Sequence, residues 1–280
     1  MKILKGQLRL AATDVSNHLA CRHLTQLELA VARGQRCAPN WAVPDLKVIQ
    51  ELGRRHEVAY LKHLEEARGL KVVRLPEHGS EDALVEWTLR LMEAGAEVIA
   101  QGALKDGGWF GRPDVLLRVE RPSEKWKWSY EVQDTKLARE TKAGTILQLS
   151  VYSELLERAQ KLAPEYMWVV TPSGGFTGER YRVAEYAAYF RYVRRELLNV
   201  TNGSGSLSAQ GNLFEVARRQ DGAGADTYPE PVEHCNVCRW FKECEAQRRA
   251  DDHLSLVAGI RTQQREQLKE WKVETMARDS

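Results

Sequence analysis

The chain has 280 residues, 43% of them hydrophobic and 29% charged, which is the composition of a globular protein large enough to form a core without disulfides. Its 41 basic and 39 acidic residues leave a formal charge of +2, which excludes a uniformly basic coat for nucleic acid but not a local basic patch. No run of about 18 apolar residues occurs, and the N-terminal residues lack the apolar segment of a secretory signal. We therefore expect a cytoplasmic protein without a membrane segment.

Apolar periodicity and turn residues predict alternating helices and strands. Helices are predicted at about residues 13–31, 45–69, 81–94, 140–162 and 184–198. Strands are predicted at about residues 70–75, 97–104, 109–119, 127–137, 166–171 and 181–183. The core order is helix, three strands, helix, strand, and this mixed alternation favours an α/β fold with one central sheet.

Changes in composition divide the chain into five parts. These are an N-terminal helical segment (1–45), an α/β core (46–198), a linker (199–230), a cysteine-rich segment (231–250) and a helical tail (251–280). Glycine and serine are frequent in the linker, which predicts a flexible connection. The tail is typical either of an ordinary terminal helix or of a chain that continues into a further domain.

Two predicted strands carry acidic residues where a metal site needs them. Asp114 precedes an apolar strand, and Asp134 and Lys136, two residues apart, project from the same side of the next strand. Carboxylates on neighbouring strands can converge on one point, and a hard divalent cation binds such oxygen ligands. Lys136 would then orient the metal-bound water or stabilise charge that develops on a phosphate. An Asp–Lys pair is more often a solvated strand edge, so the hypothesis depends on the spacing from Asp114.

Three further polar residues fall on predicted helices. Gln148 and Tyr152 are four residues apart and therefore lie on one helix face. His56 falls on the apolar stripe of an earlier helix, so we expect it to point inward. Each pattern alone is more typical of a helix flank or of a hydrogen-bonded core histidine than of a functional site.

Taken in chain order, these polar residues resemble the motifs of the RecB-type branch of the PD-(D/E)XK nuclease superfamily. They are His56, Gly111-Arg112-Pro113-Asp114, Asp134-Thr135-Lys136, Gln148 and Tyr152. The resemblance implies a restriction-endonuclease-like core, in which a mixed sheet in the order helix, three strands, helix, strand is flanked by helices. The sequence departs from many members at Asp134, where they carry Glu, although Asp is common in the RecB branch.

The resemblance also implies a role for each of these residues. The implied ligands of Mg²⁺ or Mn²⁺ are His56, Asp114 and Asp134. Lys136 would position the attacking water, while Gln148 and Tyr152 would orient the site and the nucleic-acid backbone. Besides Tyr152, the residues expected to contact nucleic acid are the basic side chains near the motifs, Arg112, Arg139 and Lys142.

A cysteine cluster near the C-terminus indicates a second metal site. Cys235, Cys238 and Cys244 form a C-x2-C-x5-C run, and three thiolates so close in sequence are typical of soft-metal ligands. A fourth ligand is needed, and Cys21 and Cys37 near the other end of the chain are the candidates. The spacing alone leaves a structural zinc ion and an iron–sulfur cluster equally open.

The family resemblance favours iron. An N-terminal cysteine with a distant C-x2-C-x5-C run resembles the iron–sulfur nucleases of the RecB branch, of the AddB type and the CRISPR-associated type. It implies a [4Fe–4S] cluster held by Cys21, Cys235, Cys238 and Cys244, which would join the helical N- and C-terminal parts of the chain. Closing a loop of roughly 200 residues in this way is worth roughly 5 kcal/mol by the loop-entropy argument used for disulfides.

The leading hypothesis is a metal-dependent DNA nuclease that hydrolyses phosphodiester bonds of single-stranded or end-bearing DNA in repair or processing, and an exonuclease is favoured over an endonuclease. The chain resembles the nuclease region that precedes a helicase in bacterial nuclease–helicase proteins, so a helicase domain or subunit is an expected partner. No Walker A motif occurs in the chain itself. The alternatives are a non-catalytic nucleic-acid-binding iron–sulfur module, a CRISPR-adaptation nuclease, and a zinc protein with an unrelated sheet domain.

Overall fold

The structure is a computed structural model, and it describes residues 1–41, 46–138, 141–202 and 227–277. The α-helices in these ranges are α1 (Ala12–Ala20), α2 (Arg22–Ala32), α3 (Leu46–Glu66), α4 (Glu81–Glu93), α5 (Ala143–Gln160), α6 (Val183–Asn202), α7 (Phe241–Ala250) and α8 (Thr262–Glu270). The strands are β1 (Lys2–Leu4), β2 (Gln7–Ala11), β3 (Val72–Arg74), β4 (Val98–Ala100), β5 (Leu104–Asp106), β6 (Trp109–Gly111), β7 (Val115–Val119), β8 (Ser129–Thr135), β9 (Tyr166–Val170) and β10 (Glu179–Arg182).

The strands form two mixed sheets, which differs from the single central sheet expected from the sequence. One sheet has six strands in the order β10-β9-β8-β7-β4-β3, and the other has four in the order β1-β2-β6-β5. The predicted strands at 97–104 and 109–119 are each divided between the two sheets. The chain leaves the first sheet where Gln101 takes a left-handed conformation (φ 56°). It returns after Pro113, which has no N–H to donate to a strand ladder.

Helix α5 covers one face of the six-stranded sheet. Tyr130 and Val132 of β8 are fully buried in the core that Leu149 and Leu156 of α5 complete. Burying an apolar side chain of this size stabilises the fold by roughly 1.5–3 kcal/mol. Because successive side chains on a strand alternate, Asp134 lies on the same face of the sheet as Tyr130 and Val132.

Helix α3 covers part of the opposite face. Tyr60, Leu61 and Leu64 pack on buried residues of β4, β7 and β9, and the Tyr60 hydroxyl donates a hydrogen bond to Oε1 of Gln133 (2.6 Å). Leu52, in the first half of this helix, is 48% exposed. The apolar stripe predicted for this helix is therefore buried from Tyr60 onward, and His56 lies where the helix emerges from the core.

The predicted helix at 13–31 is two helices. Cys21 separates α1 from α2 with extended backbone (φ −160°, ψ 111°), and its Sγ atom accepts a hydrogen bond from the N–H of Leu24 (3.4 Å). The other predicted helices before the linker are confirmed with shifted ends. Strands β1 and β2 lie outside the predicted elements, because segments of three and five residues carry little periodic signal.

Several predictions fall on residues that the structure does not describe. The predicted start of the second helix at 45, the predicted DNA contact Arg139 and most of the predicted linker lie outside the described residues. Helix α6 continues to Asn202, so the first residues of the predicted linker are helical. Among the helices that are described, none is both long and apolar enough to cross a membrane.

Candidate functional site

Asp114, Asp134 and Lys136 meet at one edge of the six-stranded sheet, which we call the carboxylate edge. Strands β7 and β8 are antiparallel, and the pairing of Val115 with Gln133 places Asp114 beside the end of β8. Oδ2 of Asp114 accepts hydrogen bonds from both the backbone N–H and the hydroxyl of Thr135 (2.7 Å each). The Asp114 carboxylate is therefore held against the neighbouring strand.

Asp134 is a buried carboxylate that shares its surroundings with another. Its side chain is 2% exposed, and its Oδ2 atom forms an ion pair with the Lys136 ammonium group but has no well-formed hydrogen bond among the described residues. Burial raises the pKa of Asp134 above its ordinary value, and the charge of Asp114 raises it further against the opposing effect of Lys136. Burial lowers the pKa of Lys136, but the surrounding carboxylates outweigh burial and the net shift is upward. Two carboxyl groups and one ammonium group therefore share this site, and the charge of one carboxyl opposes ionisation of the other.

Glu57 of α3 is an acidic residue of this site that the sequence patterns did not single out. Oε1 of Glu57 accepts a hydrogen bond from Nε2 of Gln101 (2.5 Å), and the same Nε2 lies 3.3 Å from Oδ1 of Asp114. Burial raises the pKa of Glu57, and the Asp114 charge adds to this shift. The available signal was its position next to His56, which the family motif includes.

His56 itself is directed toward β9. Its Nε2 atom lies 3.0 Å from the carbonyl oxygen of Val170, and its ring stacks on Phe176 with 5.8 Å between ring centroids. The side chain is half-buried. In this arrangement Nε2 of His56 is bonded to a backbone acceptor, whereas Glu57, the next residue of α3, is connected to Asp114 through Gln101.

Gln148 and Tyr152 lie together on α5, as their helical spacing predicted. Tyr152 also lies near enough to the carboxylates to respond to their charge. Nε2 of Gln148 donates to the Tyr152 hydroxyl (3.1 Å). Burial raises the pKa of Tyr152, and the negative charges of Asp134 and Asp114 contribute. The Tyr152 ring packs directly on the backbone of Gly111. A side chain at position 111 would prevent this packing, because its Cβ atom would lie 2.7 Å from Cε1 of the ring.

The basic residues predicted to contact nucleic acid differ in their availability. Arg112 donates three hydrogen bonds to backbone carbonyls, from Nε to Gln101 (3.2 Å) and from its two terminal nitrogens to Glu77 (3.1 Å) and Pro76 (3.0 Å). Its guanidinium group therefore braces the chain around the carboxylate edge. Lys142 is 68% exposed and forms an ion pair with Glu233 (2.8 Å).

Four of the five cysteines come together at a second place, which we call the cysteine site. The thiols of Cys21, Cys235, Cys238 and Cys244 line one cavity, with apolar walls that include Leu24, Leu27 and Trp240. All of them are free of disulfides, and Cys37, the fifth cysteine, is exposed. The structure thus brings together the four cysteines of the predicted ligand set.

Burial in the cavity favours the neutral thiol form of three of the cysteines at this site. Burial raises the pKa of Cys21 and of Cys238, and it raises that of Cys244 to about 11 with a contribution from Cys238. Sγ of Cys235 accepts a hydrogen bond from the N–H of Val232 (3.4 Å). Neutral thiols crowded in an apolar cavity become ligands by losing their protons to a metal, which is the chemistry of soft-metal sites.

Polar contacts between α2 and the C-terminal part of the chain support the cysteine site. Glu28 accepts hydrogen bonds from the indole N–H of Trp240 (2.8 Å) and from Nε of Arg239 (2.9 Å). Arg36 forms an ion pair with Glu243. Trp240 is fully buried between these elements. The two ends of the chain are therefore joined by direct packing around the four cysteines.

The donor atoms at each site fit the group that the family resemblance implies. The buried Oδ2 of Asp134, which lacks a well-formed hydrogen bond, is suited to a hard divalent cation, and the four thiols are suited to a soft metal. In the part of the chain that the structure describes, no three His, Cys, Asp or Glu side chains are arranged so that they could hold a metal ion as they stand. At the carboxylate edge, binding of a cation requires the Lys136 ammonium group to move off Asp134.

Comparison with known proteins adds little. No protein-family model matches the chain, and no curated protein matches it. Among solved structures, one titled "Crystal structure of SSO0001" is similar to this chain, with 15% sequence identity and a TM-score of 0.32. The match covers 70% of this chain and 78% of that chain. This structural similarity is too low to carry an argument about fold or function.

Proposed function

We propose that the protein is a divalent-cation-dependent deoxyribonuclease with a restriction-endonuclease-like core of the RecB type. The observation that carries the proposal is the meeting of Asp114, Asp134 and Lys136 at one sheet edge, where the buried Asp134 carboxylate pairs with the Lys136 ammonium group and Asp114 lies close enough to raise its pKa. Neighbouring carboxyl groups are suited to bind a cation, which replaces their protons, and a lysine beside them is suited to assist attack on a phosphate.

Asp114 and Asp134 would hold Mg²⁺ or Mn²⁺ at this edge. Glu57 is the further oxygen donor that the contacts support, and His56 is the further ligand that the family resemblance implies. When bound, the cation supplies a polarised water for attack and positive charge for the phosphate. The protein's own residues must then orient that water and the scissile phosphate.

Lys136, Tyr152 and Gln148 are suited to this orienting role. Lys136 stays protonated because its pKa is raised, so its ammonium group donates to the attacking water or to a phosphate oxygen once it leaves Asp134. Tyr152 stays protonated for the same reason. Because its hydroxyl oxygen already accepts a hydrogen bond from Gln148, its proton is available to the carboxylates or to the phosphate.

The cysteine site would hold a [4Fe–4S] cluster through Cys21, Cys235, Cys238 and Cys244. The convergence of these four thiols from the two ends of the chain supports this part of the proposal. The cluster would have a structural role, since its ligands lie at the start of α2 (Cys21), before α7 (Cys235 and Cys238) and within α7 (Cys244). A zinc ion in the same place is the alternative that metal analysis excludes or establishes.

The proposed substrate is single-stranded DNA or a DNA end, processed as an exonuclease would in DNA repair. Lys142 is exposed at the N-terminal end of α5, where the backbone amide groups of the helix favour binding of phosphate. This position supports contact between Lys142 and the DNA backbone. Since Arg112 is engaged with backbone carbonyls, much of the DNA affinity would come from a helicase domain or subunit. Participation in CRISPR adaptation would use the same chemistry.

The direct test is cleavage of labelled single-stranded DNA by the anaerobically purified chain, with Mg²⁺ or Mn²⁺ and with chelator. Asp134→Asn is expected to abolish cleavage while the exposed Asp106→Asn, its matched control, cleaves as the wild type does. Wild-type protein that leaves DNA intact with either cation would contradict the proposal, as would equal cleavage by the two variants.

A second candidate function is non-catalytic nucleic-acid binding. This function follows if the ion pair between Lys136 and Asp134 persists in the presence of cations, because the carboxylate edge is then closed to them. This function predicts DNA binding that weakens steeply with salt and no cleavage with either cation.

A further inference from the structure

Gln101 occupies an unusual position between β4 and β5. Its backbone has φ 56°, a left-handed conformation that is costly for a residue with a side chain. The next residue, Gly102, packs against the sheet so closely that a Cβ atom there would lie 2.8 Å from Leu116. A glycine at 101 would relieve the strain, yet the chain carries a glutamine at this turn.

Three hydrogen-bonding groups of Gln101, the backbone N–H, the backbone carbonyl and the side-chain Nε2, contact residues of the carboxylate edge. Its backbone N–H donates to the carbonyl of Asp114 (2.9 Å), and its own carbonyl accepts from Nε of Arg112 (3.2 Å). Its side-chain Nε2 lies 2.5 Å from Oε1 of Glu57 and 3.3 Å from Oδ1 of Asp114. Gln101 therefore connects α3 to the loop that precedes β7.

The side-chain amide solves a problem of charge. Glu57 and Asp114 repel each other, and nothing covalent holds α3 at the right distance from the sheet edge. A primary amide has two N–H donors on one nitrogen, so it can bridge two carboxylates, and it does not change protonation with pH. Strained backbone conformations are often found at functional sites, where a specific contact maintains them. At Gln101 the bridge between the two carboxylates is such a contact.

We propose that Gln101 is a positioning residue whose amide sets the distance between the Glu57 and Asp114 carboxylates for a divalent cation. The inference rests on the proposed function, because the cation is the one that the nuclease would use. It goes beyond that function in giving Gln101, and the strained turn between the two sheets, a role in the geometry of the cation site.

The test is Mn²⁺ binding to the full chain, measured by the electron paramagnetic resonance signal of the unbound ion. Gln101→Gly is expected to weaken Mn²⁺ binding about tenfold, as loss of a residue that orients metal ligands does, with the melting temperature unchanged or raised. Gln101→Asn keeps an amide on a shorter side chain and is expected to retain part of the affinity. Lys161→Gly, which replaces another left-handed residue (φ 60°) at the far end of α5, is the matched control and should bind Mn²⁺ normally.

The outcomes separate this proposal from the proposed nuclease activity. Equal Mn²⁺ affinity in Gln101→Gly and the wild type would overturn the role of Gln101, whether or not the wild type cleaves DNA. Wild type that binds no Mn²⁺ would overturn it as well. If the wild type binds Mn²⁺ without cleaving DNA, and Gln101→Gly binds it more weakly, the positioning role stands and the nuclease proposal falls.

Discussion

The carboxylate edge draws its residues from neighbouring strands of one sheet, whereas the cysteine site joins residues from the two ends of the chain. At the carboxylate edge, hydrogen bonds from Thr135 and Gln101 hold Asp114 in place, and Lys136 offsets part of the charge. At the cysteine site, four thiols face one cavity that a few apolar side chains and Glu28 hold together.

Because the two sites are assembled differently, a metal at the carboxylate edge would contribute mainly to chemistry and a metal at the cysteine site mainly to stability. A site whose residues lie on a hydrogen-bonded sheet exists before its cation arrives, so the cation adds chemistry. A site assembled from separate segments depends on its metal for stability, because binding a metal to such ligands contributes directly to folding.

The largest expected effect is on catalysis at the carboxylate edge. Lys136→Met is expected to slow single-turnover cleavage by roughly 10³-fold, the scale on which loss of one charge-stabilising donor acts. Mn²⁺ affinity should stay the same or improve, because the ammonium group that occupies Asp134 is gone. Lys62→Met removes an exposed lysine of α3 that pairs with Glu66 and should leave the rate unchanged. Weaker Mn²⁺ binding by Lys136→Met would show that the lysine helps to hold the cation.

The next effect is on stability at the cysteine site. Cys244→Ala is expected to lose iron and to destabilise the joined ends by an amount approaching the roughly 5 kcal/mol of a long cross-link. Hydrogen exchange should increase in α2 and α7 while β7 and β8 remain protected. Cys37→Ala, which removes the exposed cysteine, should leave iron content and exchange unchanged. Stoichiometric zinc and no iron in anaerobic wild-type protein would replace the cluster with a zinc site.

A smaller effect distinguishes the two α3 residues near the carboxylate edge. Glu57→Gln is expected to weaken Mn²⁺ binding about tenfold, because Glu57 contacts Asp114 through Gln101. His56→Gln should weaken it less, because Nε2 of His56 is bonded to the Val170 carbonyl. Parallel Mn²⁺ titrations of the two variants measure which substitution weakens binding more. The reverse order of effects would assign the ligand role to His56, as the family resemblance implies.

The smallest expected effect concerns Glu131, which lies on the other face of β8 from Asp134. Burial raises the pKa of Glu131, although its carboxylate accepts hydrogen bonds from the indole N–H of Trp168 (2.7 Å) and the N–H of Tyr166 (3.1 Å). With a folded-state pKa above the unfolded value, Glu131 makes the protein lose stability as pH rises from the unfolded pKa through the raised folded one.

Glu131→Gln removes this dependence, so its unfolding free energy should gain on the wild type by about 1 kcal/mol or less between pH 4 and pH 7. Chemical denaturation at the two pH values measures the difference. An identical pH slope in the two proteins would mean that the two hydrogen bonds compensate fully for burial.

Local sequence patterns predicted most helices and strands, and they identified some of the residues at the carboxylate edge. The helical and strand periods located most elements, because short-range side-chain alternation reflects which face is buried. Asp114, Asp134 and Lys136 were recognisable because they lie near one another on strands that follow closely in sequence. The division into two sheets was not recognisable, because it depends on the left-handed turn at Gln101 and on which distant strand, β2, pairs with β6.

The sequence by itself determined the chemical character of the two sites, the carboxylate–lysine group and the C-x2-C-x5-C run, since residue type and spacing are local properties. Tertiary structure alone decided which residues complete them. The cysteine spacing left Cys21 and Cys37 both open and the family resemblance favoured Cys21, which the folded chain places with the other three. Only folding shows that Glu57 and Gln101 lie at the carboxylate edge. Arg112 has the charge of a DNA contact, but its bonds to backbone carbonyls depend on loops that come together only in the folded chain. Contacts between distant segments follow from packing the whole core, and no short pattern encodes them.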